Sequence, residues 1–388
     1  MGKSSSIVHG GIMMIAGTRP ELIKVAPVVS ELARYDDIRV VIVSTAQQAD
    51  LLPAFLNLLD TEVDYCLSVM SAGQSLNALL AKTVAALDPV IAKEQPDLIV
   101  VQGDTTSALA GALAGRMRGI PLAHIEAGLR TGDADKPFPE ETNRRLISHM
   151  AALHCAPTRR NRAELVREGI APRDIVVTGN PVVSSLQNAL RTASTSLALE
   201  GVFTRLEGLK PIVLTTHRRE SFGVTLDRNL RTLRAFVLKH PETALIVPMH
   251  PNPNVKETVA RILSDTERVA LIDPLDYASF LQLIQRAWLV VSDSGGIQEE
   301  VASLGKALLV LRSVTERPEA IEAGVARLAG EWPGQLEALL EDWDGLKSWV
   351  KSVKPIPNPF GDQRSAMRIA QAFADYLSAQ PQRERVAL

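Results

Sequence analysis

Cysteine is scarce in this sequence, and long apolar runs are lacking. The 388 residues include two cysteines, Cys66 and Cys155, which are too few for a disulfide framework, and no cluster of cysteine and histidine has the spacing of a zinc site. No apolar run approaches the ~18 residues of a membrane span. These features predict a reducing, cytoplasmic location, with no metal and no membrane partner.

A large excess of charge of either sign is lacking as well. Lys and Arg total 42 and Asp and Glu total 44, so the formal net charge is -2, which argues against a general role at nucleic acids or membrane surfaces. The apolar content is average for a soluble protein, since hydrophobic residues make up 46% of the chain, and it is enough for two cores. Because this length exceeds one ordinary core, two domains are expected.

Short, branched apolar runs alternate with helical patterns along the chain, which is typical of parallel sheets covered by helices on both faces. The fold class is therefore α/β. Two sets of runs are present, and each set predicts its own doubly wound, Rossmann-like sheet. The first set is 11–16, 40–44, 98–101, 122–125 and 175–178, and the second is 212–215, 245–247, 269–272, 289–292 and 307–311.

The domain boundaries follow from the weakest pattern, which lies between the two sets. Residues 187–208 are rich in Ser, Thr and Ala and are expected to link an N-terminal domain, 10–186, to a C-terminal domain, 208–358. A final helix, 362–380, follows a proline-rich connection and is expected to return to the first domain. Two such domains facing a central cleft would bind ligands at the carboxyl ends of their strands.

One turn in the second set has the features of a phosphate site. After the run 289–292, the chain passes through Ser294, Gly295 and Gly296 into a helix. The glycines admit a ligand close to the backbone, and the helix start directs N–H groups toward it. Glu300, one turn further, could accept hydrogen bonds from ribose hydroxyls. An ordinary strand-to-helix turn is the alternative interpretation.

Basic side chains follow the first strand of each set. Arg19 stands at a helix start, where its guanidinium could donate several hydrogen bonds to a phosphate. Lys24 lies about one turn along that helix. His217 follows the run 212–215 beside Arg218 and Arg219, which indicates a contact to a leaving diphosphate. Solvated surface residues and a structural histidine are the alternatives. The fingerprint G-x-G-x-x-G is absent, which argues against a dinucleotide cofactor.

Three carboxylates lie at positions where the sheet predicted from the first set of runs is expected to have a pocket. Asp104 follows the run 98–101, Glu126 follows the run 122–125, and Glu140 opens a helix. The three are expected to converge. Carboxylates gathered without a metal suit proton abstraction and return, since crowding separates carboxylate pKa values. A helix N-cap is the alternative interpretation of Asp104.

Taken in order, these segments resemble the non-hydrolysing UDP-N-acetylglucosamine 2-epimerases. The matching motifs are GTRPELIK, GDTTSALA, HIEAGLRTGD, PFPEETNRRL, GNPV, THRRESFG, HPNPNV, SDSGGIQEE, SLGK, TERPEA and NPFGD. The resemblance implies two Rossmann-like domains of the glycosyltransferase-B type, a homodimer, a UDP-sugar substrate, no metal and no cofactor. It also implies reversible epimerisation of UDP-N-acetylglucosamine to UDP-N-acetylmannosamine for surface polysaccharides, by elimination of UDP to 2-acetamidoglucal and re-addition.

The resemblance also assigns roles to individual residues. The positions that it marks as catalytic are Asp104, Glu126, Glu140 and His217. The positions that it marks as binding substrate or UDP are Arg19, Lys24, Arg144, Leu275, Phe280, Ser294, Gly295, Gly296, Glu300 and Arg317.

One loop departs from the family pattern. The family typically has Gln-His-Arg after an alanine, whereas this sequence has Gln48 and Ala49 in place of the histidine and arginine. In bacterial relatives this loop helps to hold a second, activating UDP-N-acetylglucosamine. The change therefore predicts weaker dependence on that activator.

Four other activities stay open at this point. They are an epimerase for a modified UDP-2-acetamido sugar, a hydrolysing epimerase that releases free N-acetylmannosamine, a glycosyltransferase of the same fold, and a non-catalytic sugar-nucleotide sensor. Three retained carboxylates argue against the sensor.

Overall fold

The chain folds into two units. The computed structural model describes residues 10–45, 63–71, 73–192, 196–216, 223–250 and 252–380. One unit comprises the described residues up to Ser185 and those from Phe360 onward, and the other runs from Leu186 to Pro359. The chain thus leaves the first unit once and returns to it for its last helix.

The first unit is built on a parallel sheet. Its strands are β1 (Gly10–Ala16), β2 (Ile38–Ser44), β3 (Tyr65–Cys66), β4 (Leu98–Gln102), β5 (Leu122–Ile125), β6 (Leu153–Ala156) and β7 (Ile175–Val177). Their order in the sheet is β3-β2-β1-β4-β5-β6-β7, and neighbours run parallel. Its helices up to the crossing point are α1 (Arg19–Leu32), α2 (Leu76–Glu94), α3 (Thr106–Met117), α4 (Glu140–Met150), α5 (Arg159–Arg167) and the start of α6 (Val182–Thr192), with a 3-10 turn at Pro172–Asp174.

The second unit repeats this plan. Its strands are β8 (Lys210–Thr215), β9 (Thr243–Pro248), β10 (Val269–Ile272), β11 (Leu289–Ser292), β12 (Leu308–Val310) and β13 (Ala326–Leu328). Their order is β10-β9-β8-β11-β12-β13, again with parallel neighbours. Its helices are α7 (Leu197–Arg205), α8 (Val224–Lys239), α9 (Pro253–Leu263), α10 (Tyr277–Arg286), α11 (Gly295–Leu304), α12 (Pro318–Glu322), α13 (Gln335–Glu341) and α14 (Trp343–Ser352).

Both sheets confirm the predicted α/β fold class with two Rossmann-like domains. In each sheet the strand order reverses beside the first strand, between β1 and β4 in one unit and between β8 and β11 in the other. Ligands of such sheets bind at this reversal, at the carboxyl ends of the strands. Among the described residues, Arg19 follows β1, Asp104 follows β4 and Ser294 follows β11, so these three predicted residues lie at the strand reversals.

The core of the first unit has two faces because successive strand residues point to opposite sides. On one face Ile12 and Met14 pack with α1 and with the last helix, α15 (Ser365–Ala379), which contributes Phe373. On the other face Met13 and Ile15 pack with α2 and α3. Among the described residues no helix combines the length and apolar character that crossing a bilayer requires.

Candidate active site

Asp104 stands in the turn after β4, and its carboxylate pairs with Arg144 of α4. Arg144 is 2% exposed and also donates to Glu141 Oε2 at 3.0 Å. Asn143, its neighbour on α4, donates Nδ2 to the Asp104 carbonyl oxygen at 2.8 Å. Helix α4 therefore fixes both the carboxylate and the backbone of Asp104. Neither Glu141 nor Asn143 had been singled out in the sequence.

Glu126 follows β5 directly and lies buried against Lys24 of α1. Its φ is 66°, in the left-handed region that residues other than glycine rarely adopt. Glu126 Oε2 accepts hydrogen bonds from Lys24 Nζ and from Asn180 Nδ2, the latter at 2.7 Å. Glu126 and Lys24 are each 5% exposed. A buried carboxylate on strained backbone is a functional candidate, since such conformations cluster at active sites.

The turns that carry Asp104 and Glu126 are neighbours. A Cβ atom built on Gly103 would lie 3.9 Å from Glu126 Oε1, and Gly103 directly precedes Asp104. Glu140 is the first residue of α4 and is half-buried, three positions before the asparagine that binds the Asp104 carbonyl. The structure thus places the Asp104 and Glu126 turns next to each other and brings the first turn of α4, which begins at Glu140, against the backbone of Asp104.

Glu21 is a buried carboxylate that the sequence analysis did not consider. It accepts hydrogen bonds from the Thr18 N–H at 2.7 Å and from Thr105 Oγ1 at 2.8 Å, so it joins the turn of Arg19 to the turn of Asp104. Burial raises the pKa of Glu21 to about 7, although these hydrogen bonds counteract part of the effect. The sequence signal was a capping box, because Thr18 and Glu21 have its spacing at the start of α1.

The turn after β11 opens α11 as predicted, with Ser294 as the N-cap residue and Gly295 as the first helical residue. The two glycines have different surroundings. A Cβ on Gly295 would lie 2.6 Å from Arg317 Nη1, whereas none of the described atoms lies within 4 Å of a Cβ on Gly296. Gly295 is therefore needed for packing, whereas the described part of the chain leaves room for a ligand beside Gly296.

Arg317 lies beneath that turn and is 4% exposed. Its Nε donates to Glu299 Oε1 at 2.7 Å, and its Nη1 pairs with Glu316. Glu316 also pairs with Arg312 at 2.8 Å. The predicted nucleotide contact is thus a buried guanidinium held by two carboxylates of its own unit.

Glu300 lies on the next turn of α11 and is 6% exposed. The hydroxyl of Tyr277 donates to Glu300 Oε1 at 2.9 Å, which brings the start of α10 against it. Phe280 lies three residues further along α10, and Leu275 lies in the loop before α10, both half-buried. Tyr277, an unpredicted partner, therefore brings the start of α10, the helix that carries Phe280, against Glu300.

Several predicted positions, namely His217, Gln48 and Ala49, lie outside the described residues. Thr216, which precedes His217, donates Oγ1 to Asp293 Oδ2 at 2.9 Å, and this bond joins the end of β8 to the turn before Ser294. Within the described ranges no group of three or more His, Cys, Asp and Glu side chains is arranged to hold a metal ion.

Comparison with known proteins agrees with this arrangement. A family described as UDP-N-acetylglucosamine 2-epimerase matches residues 30–374. The UDP-N-acetylglucosamine 2-epimerase of Salmonella typhimurium is 41% identical over 374 residues, covering 94% of this chain and 98% of the relative.

Solved structures show the same likeness along the chain. The crystal structure of a Neisseria meningitidis UDP-GlcNAc 2-epimerase bound to UDP-GlcNAc has a TM-score of 0.89 and 35% identity, covering 94% of this chain and 100% of that one. The co-structure of S. aureus MnaA with UDP has a TM-score of 0.90 and 35% identity, covering 96% and 98%. The chain belongs to the UDP-N-acetylglucosamine 2-epimerase family.

Proposed function

We propose that this chain is a non-hydrolysing epimerase that interconverts UDP-N-acetylglucosamine and UDP-N-acetylmannosamine. The observation that carries the proposal is the pairing of acids with buried bases after the neighbouring strands β4 and β5 of the first unit, Asp104 with Arg144 and Glu126 with Lys24. The Neisseria relative binds UDP-GlcNAc and the S. aureus relative binds UDP, which supports a UDP-sugar as the substrate.

The chemistry requires that UDP leave the sugar. The hydrogen to be inverted is on the carbon that bears the acetamido group, which is not adjacent to a carbonyl carbon and is therefore barely acidic. Once the anomeric C–O bond breaks and its electron pair goes to the phosphate oxygen, a carboxylate can take that proton and the C1–C2 double bond of 2-acetamidoglucal forms. Delivery of a proton to the opposite face and return of the phosphate oxygen to C1 complete an isomerisation that consumes no water.

The first unit supplies the acid–base groups in this proposal. Asp104, Glu126 and Glu140 exchange the proton, and a carboxylate in such a role typically contributes ~10²–10⁴ in rate. Lys24 and Arg144 hold the first two carboxylates in place and offset the cost of burying their charges. The Asp104 and Glu126 turns are adjacent, which suits abstraction and return of one proton.

The second unit retains the nucleotide in this proposal. The start of α11 directs backbone N–H groups to a diphosphate, and Gly296, whose missing side chain would meet none of the described atoms, lets the anion approach. Glu300, oriented by Tyr277, accepts hydrogen bonds from the ribose, while Leu275 and Phe280 contact the base. His217 and Arg19 add donors for the leaving phosphate.

Turnover in heavy water tests the proposal. The protein is incubated with UDP-N-acetylglucosamine in D2O, and the sugar is analysed by NMR spectroscopy and mass spectrometry. Deuterium at C2 of a UDP-linked manno product is the expected result. Release of free N-acetylmannosamine would identify a hydrolysing epimerase. A reaction that depends on an acceptor would identify a glycosyltransferase. Binding without turnover would identify a sensor or an enzyme for a modified UDP-2-acetamido sugar.

The remaining expectations stay predictions. A homodimer and a cytoplasmic location are implied by the resemblance and by the composition. The reduced need for an activator rests on Gln48 and Ala49.

A further inference from the structure

We propose that Asn180 is a positioning residue that holds the Glu126 carboxylate, and that the returning C-terminal segment fixes Asn180 in turn. The proposal rests on the role that the proposed function gives to Glu126. Asn180 belongs to the GNPV motif, whose residues have no role in the proposed mechanism. It lies between β7 and α6 and has no exposed surface.

Both ends of the Asn180 side chain are engaged. Its Oδ1 accepts the Val182 N–H at 3.1 Å, and its Nδ2 donates to Glu126 Oε2 at 2.7 Å. An amide oxygen only accepts and an amide nitrogen only donates, so these two partners define one orientation of the side chain. The backbone N–H of Asn180 donates to the Phe360 carbonyl oxygen at 2.6 Å. The residue is thereby fixed at three points.

The carboxylate of Glu126 needs such support. Its backbone is in the left-handed region, and a non-glycine residue persists there only when its surroundings over-determine it. Lys24 and Asn180 both bind Oε2, while Oε1 is the oxygen next to Gly103. Two donors on one oxygen fix the rotation of the carboxylate, and they turn the other oxygen toward the Asp104 turn.

The C-terminal segment reaches Asn180 through two glycines. Gly179 has a φ of 82° and Gly361 a φ of 140°. A Cβ on Gly179 would lie 2.2 Å from Ser365 Oγ, and a Cβ on Gly361 would lie 3.0 Å from Asn180 N. Only glycines allow the two backbone segments to approach this closely. The segment that leads into α15 is therefore connected to the Glu126 carboxylate through Asn180.

Two substitutions separate this role from a purely structural one. Asn180→Ser and Asn180→Thr both retain a hydroxyl acceptor for the Val182 N–H, and both remove the amide that donates to Glu126 without adding a charge. We expect kcat to fall about 10- to 100-fold, as is typical when a supporting partner of an active-site group is lost. The KM for UDP-N-acetylglucosamine should stay close to the wild-type value, because the nucleotide contacts are unchanged.

Ser184→Ala is the matched control. Ser184 Oγ donates to the Gln363 carbonyl oxygen at 3.0 Å, so this change removes a hydrogen bond between the same two segments without touching Glu126. Its kcat should equal that of the wild type. A loss of kcat shared by Ser184→Ala and accompanied by a lower melting temperature would overturn the proposal.

A double-mutant cycle with Glu126→Gln completes the test. If Asn180 acts through Glu126, adding Asn180→Ser to Glu126→Gln should change kcat less than about threefold, because residues that act as a unit are not additive. The same loss in both backgrounds would overturn the proposal. If kcat falls in Glu126→Gln but is normal in the Asn180 variants, this inference alone is refuted. If Glu126→Gln turns over like the wild type, the catalytic role of Glu126 itself is refuted.

Discussion

Buried ion pairs define the candidate site at the scale of single residues. The Asp104–Arg144 and Glu126–Lys24 pairs lie largely out of solvent. A buried pair adds little net stability compared with apolar side chains of similar size, because desolvation offsets most of the attraction. Their presence after the neighbouring strands β4 and β5 is therefore better explained by chemistry than by packing.

Asp104→Asn should lower kcat by ~10²–10⁴, because a carboxamide cannot take or return a proton. Glu126→Gln and Glu140→Gln should show losses of the same size. The measurement is the initial rate of UDP-N-acetylmannosamine formation. Asp88→Asn is the control, since Asp88 is an exposed carboxylate paired with Arg118. Near-normal turnover in all three site variants would contradict the acid–base assignment.

Glu21 gives a prediction about pH. Burial raises the pKa of Glu21 to about 7 from an ordinary value of 4.5, so between these pH values the folded state binds more protons than the unfolded state. Stability therefore falls as the pH rises through this window, by about 3 kcal/mol in total. Relative to Glu21→Gln, the wild type should lose melting temperature between about pH 5 and about pH 8.

The glutamine variant is a suitable reference for that comparison. Its carbonyl oxygen can accept the Thr18 N–H while its amide donates to the Thr105 hydroxyl, so the hydrogen bonds of Glu21 are conserved in number. Parallel melting temperatures for the two proteins across the window would mean that Glu21 is ionised throughout.

The sequence identified candidate residues but not their partners. Asp104 and Glu126 could be found because a strand end is a local pattern. Asn180 could not, since it lies 54 residues from Glu126 in the chain, and its contact exists only after β5 and the segment beyond β7 are brought together. Glu21 showed a local cap signal, but its burial depends on Thr105 in a distant turn.

At the scale of elements, periodicity predicted the strands that carry the candidate site and missed three other strands among the described residues. β6 contains His154, whose ring contacts the Ser148 and Asp174 carbonyl oxygens at 2.9 and 3.2 Å, so a polar residue interrupts a buried strand. β13 contains Arg327, which lies over the Trp349 ring at 4.2 Å. β3 has two residues, too few for a pattern. Long-range contacts stabilise such strands, and local alternation does not reveal them.

The start of α11 allows a matched pair of substitutions. Gly296→Ala should preserve or slightly raise stability, because no described atom meets the new methyl group and alanine favours a helix by ~0.5–1 kcal/mol over glycine. Its KM for UDP-N-acetylglucosamine should rise about tenfold, which corresponds to a loss of ~1.4 kcal/mol of binding free energy.

Gly295→Ala is the counterpart. The new methyl group would lie 2.6 Å from the buried guanidinium of Arg317, which two carboxylates hold in place, so the melting temperature should fall. An unchanged KM for Gly296→Ala would contradict the placement of the diphosphate at this turn.

At the scale of the whole chain, the return of α15 to the first unit is the main long-range feature. Phe373 is fully buried in the same core face as Ile12 and Met14. Phe373→Ala should cost about 3–5 kcal/mol of stability, measured by thermal or urea denaturation. Met367 on the same helix is 43% exposed, and Met367→Ala should change stability by less than ~0.5 kcal/mol. Equal effects of the two changes would contradict the packing of α15.

The central claim is that UDP leaves the sugar and returns to it while the protein holds both. Positional isotope exchange tests this claim directly, with ¹⁸O placed in the bridge between C1 and the β-phosphorus of UDP-N-acetylglucosamine. The account predicts that the label moves from the bridge to non-bridging β-phosphate positions in recovered UDP-sugar during epimerisation. Epimerisation with the label retained in the bridge would contradict the account.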